Sequence, residues 1–254
     1  FYTSNSGLME LRKEISKYMA KRYDVEYDPA SEVLITVGGS EGIDACIRAM
    51  LDPGDEMIIP EPCFVSYKPC AVFAGAKPVV IDLKAENEFR LTPEELEAAI
   101  TPKTKLVLLT YPNNPTGAVM RKEDLEKIAK VIIDHDLFVL SDEIYSELNY
   151  ASDGPSTSIA SLPGMRERTV VINGFSKAFA MTGWRIGWAA GPSTVIKQMM
   201  KIHQFAIMCP PTMSQYASIE ALRNGLDDVT YMKNEYNGRR KFLLKRFAEM
   251  GIPC

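Results

Sequence analysis

The chain has 254 residues, of which 46% are hydrophobic and 24% are charged, the balance of an ordinary globular protein. This composition excludes a disordered tail, a collagen-like repeat and a small disulfide-stabilised scaffold, and the length suits one large domain or two modest ones. The 29 basic and 33 acidic residues give a net charge of −4, so neither nucleic acid nor an anionic membrane surface is an expected partner.

The residues that usually indicate a membrane, a redox site or a metal site form no such pattern in this sequence. No apolar run is long enough to cross a bilayer, and the first residues do not resemble a signal peptide. The five cysteines include no C-x-x-C pair, which favours reduced thiols and a cytoplasmic location. The two histidines, His135 and His203, fit neither a Ser/His/Asp triad nor metal-ligand spacing, so we expect no metal.

Apolar, β-branched runs alternate with helical patterns through most of the chain. The spacing predicts helices over about 40–50 and 125–133 and a series of long helices after residue 191, the last over about 228–250. It predicts strands at 33–37, 57–59, 78–83, 105–110, 137–140 and 169–172. Such alternation is typical of an α/β domain with a mostly parallel sheet and helices on both faces. No repeat or linker divides the chain, so we expect one domain.

Polar residues follow four of the predicted strands. They are Gly38-Gly39-Ser40, Asn113-Asn114, Ser141-Asp142 and Ser176-Lys177. Open parallel sheets bind ligands beyond the carboxyl ends of their strands, so these residues are expected to meet at one edge of the sheet.

The glycine-rich turn at Gly38-Gly39-Ser40 has two interpretations. The free N–H groups of the following helix could hold a phosphate, or Ser40 could simply be the N-cap of a plain strand-to-helix turn. Arg185, which lies between glycines and apolar residues, could similarly be a phosphate clamp or a partner in a structural ion pair.

Two charged residues at predicted strand ends point to covalent chemistry. Lys177 lies between Phe175 and Phe179, where desolvation would lower the pKa of an amine that must form a Schiff base, although most lysines are surface charges. Asp142 could cap a helix, or it could keep a heterocyclic nitrogen protonated by charge pairing. The two residues are one βαβ-sized step apart, so neighbouring strands could bring them together.

Taken together, these residues resemble the pyridoxal-phosphate (PLP)-dependent aminotransferases of fold type I, class I/II. The resemblance runs through most of the chain in the family's order. Its most specific blocks are Pro-Asn-Asn-Pro-Thr-Gly at 112–117 and Gly-Phe-Ser-Lys…Met-Thr-Gly-Trp-Arg-Ile-Gly at 174–187, and the other matching stretches are 2–11, 33–42, 53–55, 60–67 and 141–145. The resemblance implies the large domain of such a transferase, with PLP as its cofactor.

The resemblance also implies a role for individual residues around the cofactor ring. Lys177 would hold PLP as an internal aldimine and move the α-proton of the substrate, and Asp142 would pair with the pyridine nitrogen. Tyr145 and Asn114 would bind the phenolic oxygen, and Phe64 would stack on the ring.

The phosphate end and the partner subunit follow from the same resemblance. Gly39, Ser40 and the amide of Glu41 match the phosphate-binding turn, which Ser176 and Arg185 would complete. A tyrosine matching Tyr2 reaches the phosphate of the partner subunit in the family. The resemblance therefore implies a homodimer with shared active sites.

The two ends of the chain depart from the family pattern. Family members begin with a segment that closes over the site and continue into a small domain, which carries an arginine for the substrate α-carboxylate. We expect residues 1–254 to be the PLP-binding large domain of a longer enzyme, with the helix from about 228 leading towards the small domain. Alone, this piece is expected to bind its cofactor weakly and to turn over little.

The expected reaction is transfer of an amino group between an L-amino acid and a 2-oxo acid. The wording of the motifs is most similar to aspartate/aromatic and N-acetyl-diaminopimelate aminotransferases, but the sequence leaves the donor open. A PLP-dependent carbon–sulfur β-lyase is an alternative, because one fold supports several chemistries. A further alternative is the aminotransferase-like sensor domain of a transcription regulator.

Overall fold

The computed structural model describes residues 2–152 and 154–254, which form seven strands in one sheet and eight α-helices. In chain order the elements are α1 (Met9–Tyr23), β1 (Val33–Thr36), α2 (Gly38–Met50), β2 (Glu56–Glu61), α3 (Tyr67–Phe73), β3 (Lys77–Asp82), α4 (Pro93–Ala99), β4 (Thr104–Thr110), α5 (Lys122–Asp134), β5 (Phe138–Asp142), β6 (Thr169–Gly174), β7 (Gly187–Ala190), α6 (Ser193–Ala206), α7 (Thr212–Asn224) and α8 (Leu226–Glu249).

The strands lie in the order β1-β7-β6-β5-β4-β2-β3. Strands β3, β2, β4, β5 and β6 pair in parallel, whereas β7 is antiparallel to both of its neighbours, β6 and β1. All strands except β7 therefore point the same way, and their carboxyl ends share one edge of the sheet. The predicted α/β class with a mostly parallel sheet is confirmed.

Successive side chains along each strand point to opposite faces of the sheet, and each face packs against an apolar layer of helices. On β6, Ile172 packs with α2, α3 and α6 on one face of the sheet, whereas Val171 packs with α1 and α7 on the other. Further along this second face, Val139 of β5 packs with α4 and α5. Because both faces are buried, the central strands read as continuous apolar runs in the sequence.

Four elements lie outside the sequence prediction: the helices α1, α3 and α4 and the strand β7. Strand β7 has only four residues, begins at a glycine and contains no β-branched residue, so it carries little strand signal. Helix α1 buries Leu11, Ile15 and Met19 at a four-residue spacing among charged neighbours. It covers the sheet beside α7.

Helix α8 has 24 residues and buries very little of its surface. Among its described side chains Val229 is the buried one, and the exposed ones include Tyr231, Phe242 and Leu243. In the described part of the chain, no helix has both the length and the apolar character needed to span a membrane.

Candidate active site

A cavity of about 180 Å³ lies at the edge of the sheet where the parallel strands end. It is formed by Asp142 at the end of β5 and by residues that follow β1, β2, β4, β5 and β6. The described residues that line it are Gly39, Ser40, Ile43, Phe64, Tyr67, Asn114, Asp142, Ile144, Tyr145, Ser176, Lys177, Thr182 and Arg185. Of the residues that the resemblance assigns to the cofactor, Glu41 and Tyr2 lie outside this lining.

Asp142 is the last residue of β5 and its carboxyl group is buried. Its Oδ2 accepts a hydrogen bond of 2.8 Å from the Tyr67 hydroxyl, and its Oδ1 accepts one of 3.1 Å from the Ile144 N–H. Burial raises the pKa of Asp142, while these two hydrogen bonds and the charge of Lys177 oppose that rise. The carboxylate is thus a buried acceptor that a cation or N–H group in the cavity can satisfy.

Lys177 follows β6, the parallel neighbour of β5. The register pairs Asp142 with Ile172, so both strands deliver their polar residues to the same end of the cavity. Lys177 Nζ lies 5.5 Å from the centroid of the Tyr145 ring, over its face. The amine and the carboxylate therefore open onto one space, as the strand alternation predicted.

The two phenylalanines beside Lys177 pack into the core. The rings of Phe175 and Phe179 lie 5.3 Å apart, and Phe175 also packs 5.1 Å from Trp188. They anchor the segment that presents Lys177. The aromatic ring that the Lys177 amine faces is that of Tyr145.

The opposite end of the cavity is suited to an anion. Helix α2 begins at Gly38 after Val37, without a side-chain cap, so Ser40 lies inside the first turn and is not an N-cap. The first N–H groups of a helix have no intrahelical partners and favour negative charge. The Arg185 guanidinium packs against the same turn, since a Cβ atom at Gly38 would lie 2.5 Å from Arg185 Nη2.

The turn after β4 presents Asn114 to the cavity. The Oδ1 atom of Asn113 accepts hydrogen bonds from the Thr116 N–H at 3.1 Å and the Thr116 hydroxyl at 2.8 Å, which fixes the turn. The Asn113 Nδ2 atom is buried and has no hydrogen-bond partner among the described residues. Asn113 lines a second, larger hollow of about 910 Å³ that also reaches Lys177.

Tyr67 is the main residue of this cavity to which the sequence analysis assigned no role. It begins α3, and its ring meets that of Phe64 edge to face at 5.8 Å. Its signals were its place at the end of the matching stretch 60–67 and its position three residues after Phe64, the spacing that puts two side chains on one side of a helical turn. Its contact with Asp142 joins residues 75 positions apart and therefore leaves no local pattern.

The donor set of the cavity fits PLP. A lysine amine and a buried carboxylate occupy one end, and a helix start with an arginine occupies the other. These groups match the carbonyl, the ring nitrogen and the phosphate of the cofactor, and Phe64 and Ile144 line the space between with apolar surface. Groups of His, Cys, Asp and Glu that could hold a metal ion are absent from the described residues.

Comparison with known proteins places the chain in one family. The family model described as aminotransferase class I and II matches residues 1–254. The Bacillus subtilis protein YugH, named provisionally as an aminotransferase, is 52% identical over 253 residues, covering 100% of this chain and 65% of its own length. The aspartate aminotransferase of Pyrococcus abyssi is 46% identical, covering 99% of this chain and 65% of that protein.

A solved structure agrees with the sequence comparison. The aromatic aminotransferase of Pyrococcus horikoshii is 45% identical, with a TM-score of 0.96, and the match covers 99% of this chain and 68% of that one. The chain spans about 65% of the length of the curated relatives it matches. PLP is the cofactor of these fold type I enzymes. The chain belongs to the family of class I and II aminotransferases.

Proposed function

We propose that this chain is the PLP-binding large domain of an aminotransferase that moves an amino group between an L-amino acid and a 2-oxo acid. The observation that carries the proposal is the pairing of Lys177 and Asp142 at the ends of adjacent parallel strands, both facing one cavity. The sheet edge holds the amine and the carboxylate apart on rigid strands. This arrangement suits a cofactor that needs an amine at its carbonyl and a carboxylate at its ring nitrogen.

When bound, PLP supplies a carbonyl for covalent attachment of amines and a ring that accepts electrons from the substrate carbon. Lys177 would attach the cofactor and carry the proton that leaves and returns to the substrate carbon. Asp142, held by Tyr67 and Ile144, would keep the ring nitrogen protonated. Its buried charge acts strongly there because little water screens it.

The other lining residues would orient the cofactor. Tyr145 and Asn114 would donate hydrogen bonds to its phenolic oxygen, and Phe64 would lie on one face of the ring. At the far end, the phosphate would meet Gly39, Ser40 and the Glu41 amide, together with Ser176 and Arg185. The helix start and the guanidinium both stabilise negative charge there.

We propose further that the enzyme is a cytoplasmic homodimer in which Tyr2 reaches the phosphate of the partner subunit. In support, Tyr2 is 78% exposed and does not line the cavity of its own chain. The exposed apolar residues of α8 support the proposal that this helix leads to a small domain, which would cover them.

The test is the absorption spectrum of the full-length enzyme with PLP, recorded before and after single L-amino acids. We expect a band of lysine-bound cofactor that changes to the aminated form with a suitable donor and returns on adding a 2-oxo acid. The Lys177→Ala variant should lose the band, and Lys197→Ala on the exposed face of α6 should keep it.

Three results would contradict the proposal. A band that survives Lys177→Ala would show that another group holds the cofactor. Release of pyruvate and ammonia from cysteine without any oxo-acid acceptor would instead identify a carbon–sulfur lyase. Binding of duplex DNA by the intact protein, with no spectral change on adding amino acids, would favour a sensor domain.

A further inference from the structure

His203 of α6 is completely buried, and both of its ring nitrogens face hydrogen-bond acceptors. Nε2 lies 2.9 Å from the backbone carbonyl oxygen of Asn5, and Nδ1 lies 2.5 Å from Oε1 of Glu41. A carbonyl oxygen can only accept, so Nε2 carries a hydrogen. A second proton must then lie between Nδ1 and the Glu41 carboxylate, because two bare acceptors would repel each other.

Glu41 connects this ring to the turn that precedes α2. Its second oxygen, Oε2, accepts a hydrogen bond from the N–H of Val37, the residue just before the helix begins. The carboxylate therefore bridges the entry of the turn and His203. Gly39 and Ser40, which line the anion end of the cavity, lie along the chain between Val37 and Glu41.

Asn5 connects the same ring to the amino-terminal segment, residues 2–8, that carries Tyr2. A second buried side chain, Gln215 of α7, holds this segment as well. Its Oε1 accepts from the Leu8 N–H at 2.7 Å, and its Nε2 donates to the Thr3 hydroxyl at 3.0 Å. The segment is thus fixed to α6 and α7 before it extends to the exposed Tyr2.

We propose that His203 is a positioning residue which carries a hydrogen on each nitrogen and holds the phosphate-binding turn, through Glu41, against the segment that bears Tyr2. The inference rests on the proposed function, since it assigns the turn to the cofactor phosphate. A buried ion pair adds little net stability, but it imposes one geometry on the groups it joins. Here the groups joined are the turn that would bind the phosphate of this subunit's own site and the segment whose Tyr2 would reach the phosphate of the partner subunit.

The first experiment compares two cofactor forms on the full-length enzyme. Dissociation constants are measured for PLP and for pyridoxal, which lacks the phosphate, in the parent, His203→Gln and His135→Gln proteins. His135 is the matched control because it is a more exposed histidine that also pairs with a glutamate, Glu97, at 2.7 Å. We expect His203→Gln to weaken PLP binding at least about tenfold and pyridoxal binding less than about twofold, with His135→Gln unchanged.

The second experiment is nuclear magnetic resonance of the enzyme labelled with ¹⁵N at histidine. We expect His203 to show two slowly exchanging ring N–H signals, which His203→Gln removes and His135→Gln retains. In Glu41→Gln the amide can donate to Nδ1, so one of the two signals should vanish. Glu41→Gln should also show the selective loss of PLP affinity, which keeps the test available should His203→Gln not fold.

Several outcomes would overturn the inference. Equal weakening of PLP and pyridoxal would mean that His203 merely stabilises the fold, and unchanged affinities would mean that it does not position the turn. A single ring N–H signal would refute the proposal that both ring nitrogens of His203 carry a hydrogen. A parent enzyme that binds PLP no better than pyridoxal would instead contradict the proposed phosphate site, while the protonation of the His203 ring is judged separately by the resonance signals.

Discussion

The Tyr67 hydroxyl donates a hydrogen bond of 2.8 Å to the Asp142 carboxylate and lies 3.3 Å from the Thr110 hydroxyl. The contact joins the start of α3 to the ends of two neighbouring strands. Burial and the nearby Asp142 charge raise the pKa of Tyr67, so its hydroxyl remains a donor throughout the physiological range. It stabilises the ionised form of Asp142, the form that the proposed chemistry needs.

Replacing Tyr67 by phenylalanine should therefore weaken the cofactor site. Without the donor, the pKa of Asp142 rises further and the charge available to a ring nitrogen falls. We expect PLP affinity to fall about tenfold, the equivalent of ~1–2 kcal/mol for a hydrogen bond to a charged group. Titration by absorbance measures this, with the exposed Tyr231→Phe as control. Equal affinities of the two variants would show that Asp142 does not depend on Tyr67.

Replacing Gly38 by alanine should displace Arg185. The new Cβ would lie 2.5 Å from Arg185 Nη2, and Gly38 has a φ of +74° that alanine tolerates poorly. Gly54→Ala is a matched control, because Gly54 also has a positive φ, +94°, but an added Cβ meets nothing within 4 Å.

Both glycine variants should lose about 1 kcal/mol of stability from backbone strain, measured by urea unfolding. Only Gly38→Ala is expected to weaken PLP binding relative to pyridoxal, by about tenfold, because only it moves the guanidinium from the start of α2. If PLP binding weakened equally in Gly54→Ala, backbone strain alone would explain the effect.

Glu143 should make the protein less stable as the pH rises. Its Oε1 accepts hydrogen bonds from Ser141 and Ser158, but Oε2 is buried with no hydrogen-bond partner among the described residues. Burial raises the pKa of Glu143 from 4.5 to about 7, so the folded state binds the proton more tightly than the unfolded state. The free energy of unfolding therefore falls between about pH 4.5 and pH 7, where the unfolded carboxyl is already ionised.

Replacing Glu143 by glutamine should remove the part of this pH dependence that Glu143 causes. The amide oxygen can still accept from both serines, and no charge is buried. At pH 8 the variant is expected to be more stable than the parent by about 3 kcal/mol, with little difference at pH 4.5. Urea unfolding at both pH values measures this, with the exposed Glu126→Gln on α5 as control. If Glu143→Gln is less stable than the parent at pH 8, the ionised Glu143 carboxylate stabilises the folded state and the prediction is wrong.

Hybrid dimers test whether Tyr2 serves the partner subunit. In a hybrid of Lys177→Ala and Tyr2→Phe subunits, shared sites would leave one site with both native residues. In a hybrid of the parent and the double variant, the one site that keeps Lys177 would lack the tyrosine hydroxyl of the partner subunit. We expect tight PLP binding in the first hybrid and binding weakened about tenfold in the second, measured by absorbance.

If each subunit used its own Tyr2, the second hybrid would bind PLP more tightly than the first. The parent subunit of the second hybrid would then hold an intact site. Two hybrids of equal affinity would show that Tyr2 does not contact the cofactor at all. Light scattering over a range of protein concentrations measures the molar mass and so tests whether the enzyme is a dimer.

Much of the fold could be predicted because its signal is local. Strands buried on both faces produce continuous apolar runs, as in Val170 and Ile172 of β6, and helices produce periodic ones. The parallel direction followed from the alternation of the two, and it brought Asp142 and Lys177 to one edge of the sheet. By contrast, β7 was missed because a short antiparallel strand is determined by its neighbours rather than by its own residues.

The sequence by itself determined the family and the α/β class, and it supplied the proposal for the residues that hold PLP, since each of these depends on residue type and on spacing along the chain. The tertiary structure decided which side chains support them. Tyr67 meets Asp142 across 75 residues, and His203 meets Glu41 across 162. Such contacts arise only when separate elements pack against each other, and hydrogen-bond partners distant in sequence leave no periodic trace within either element.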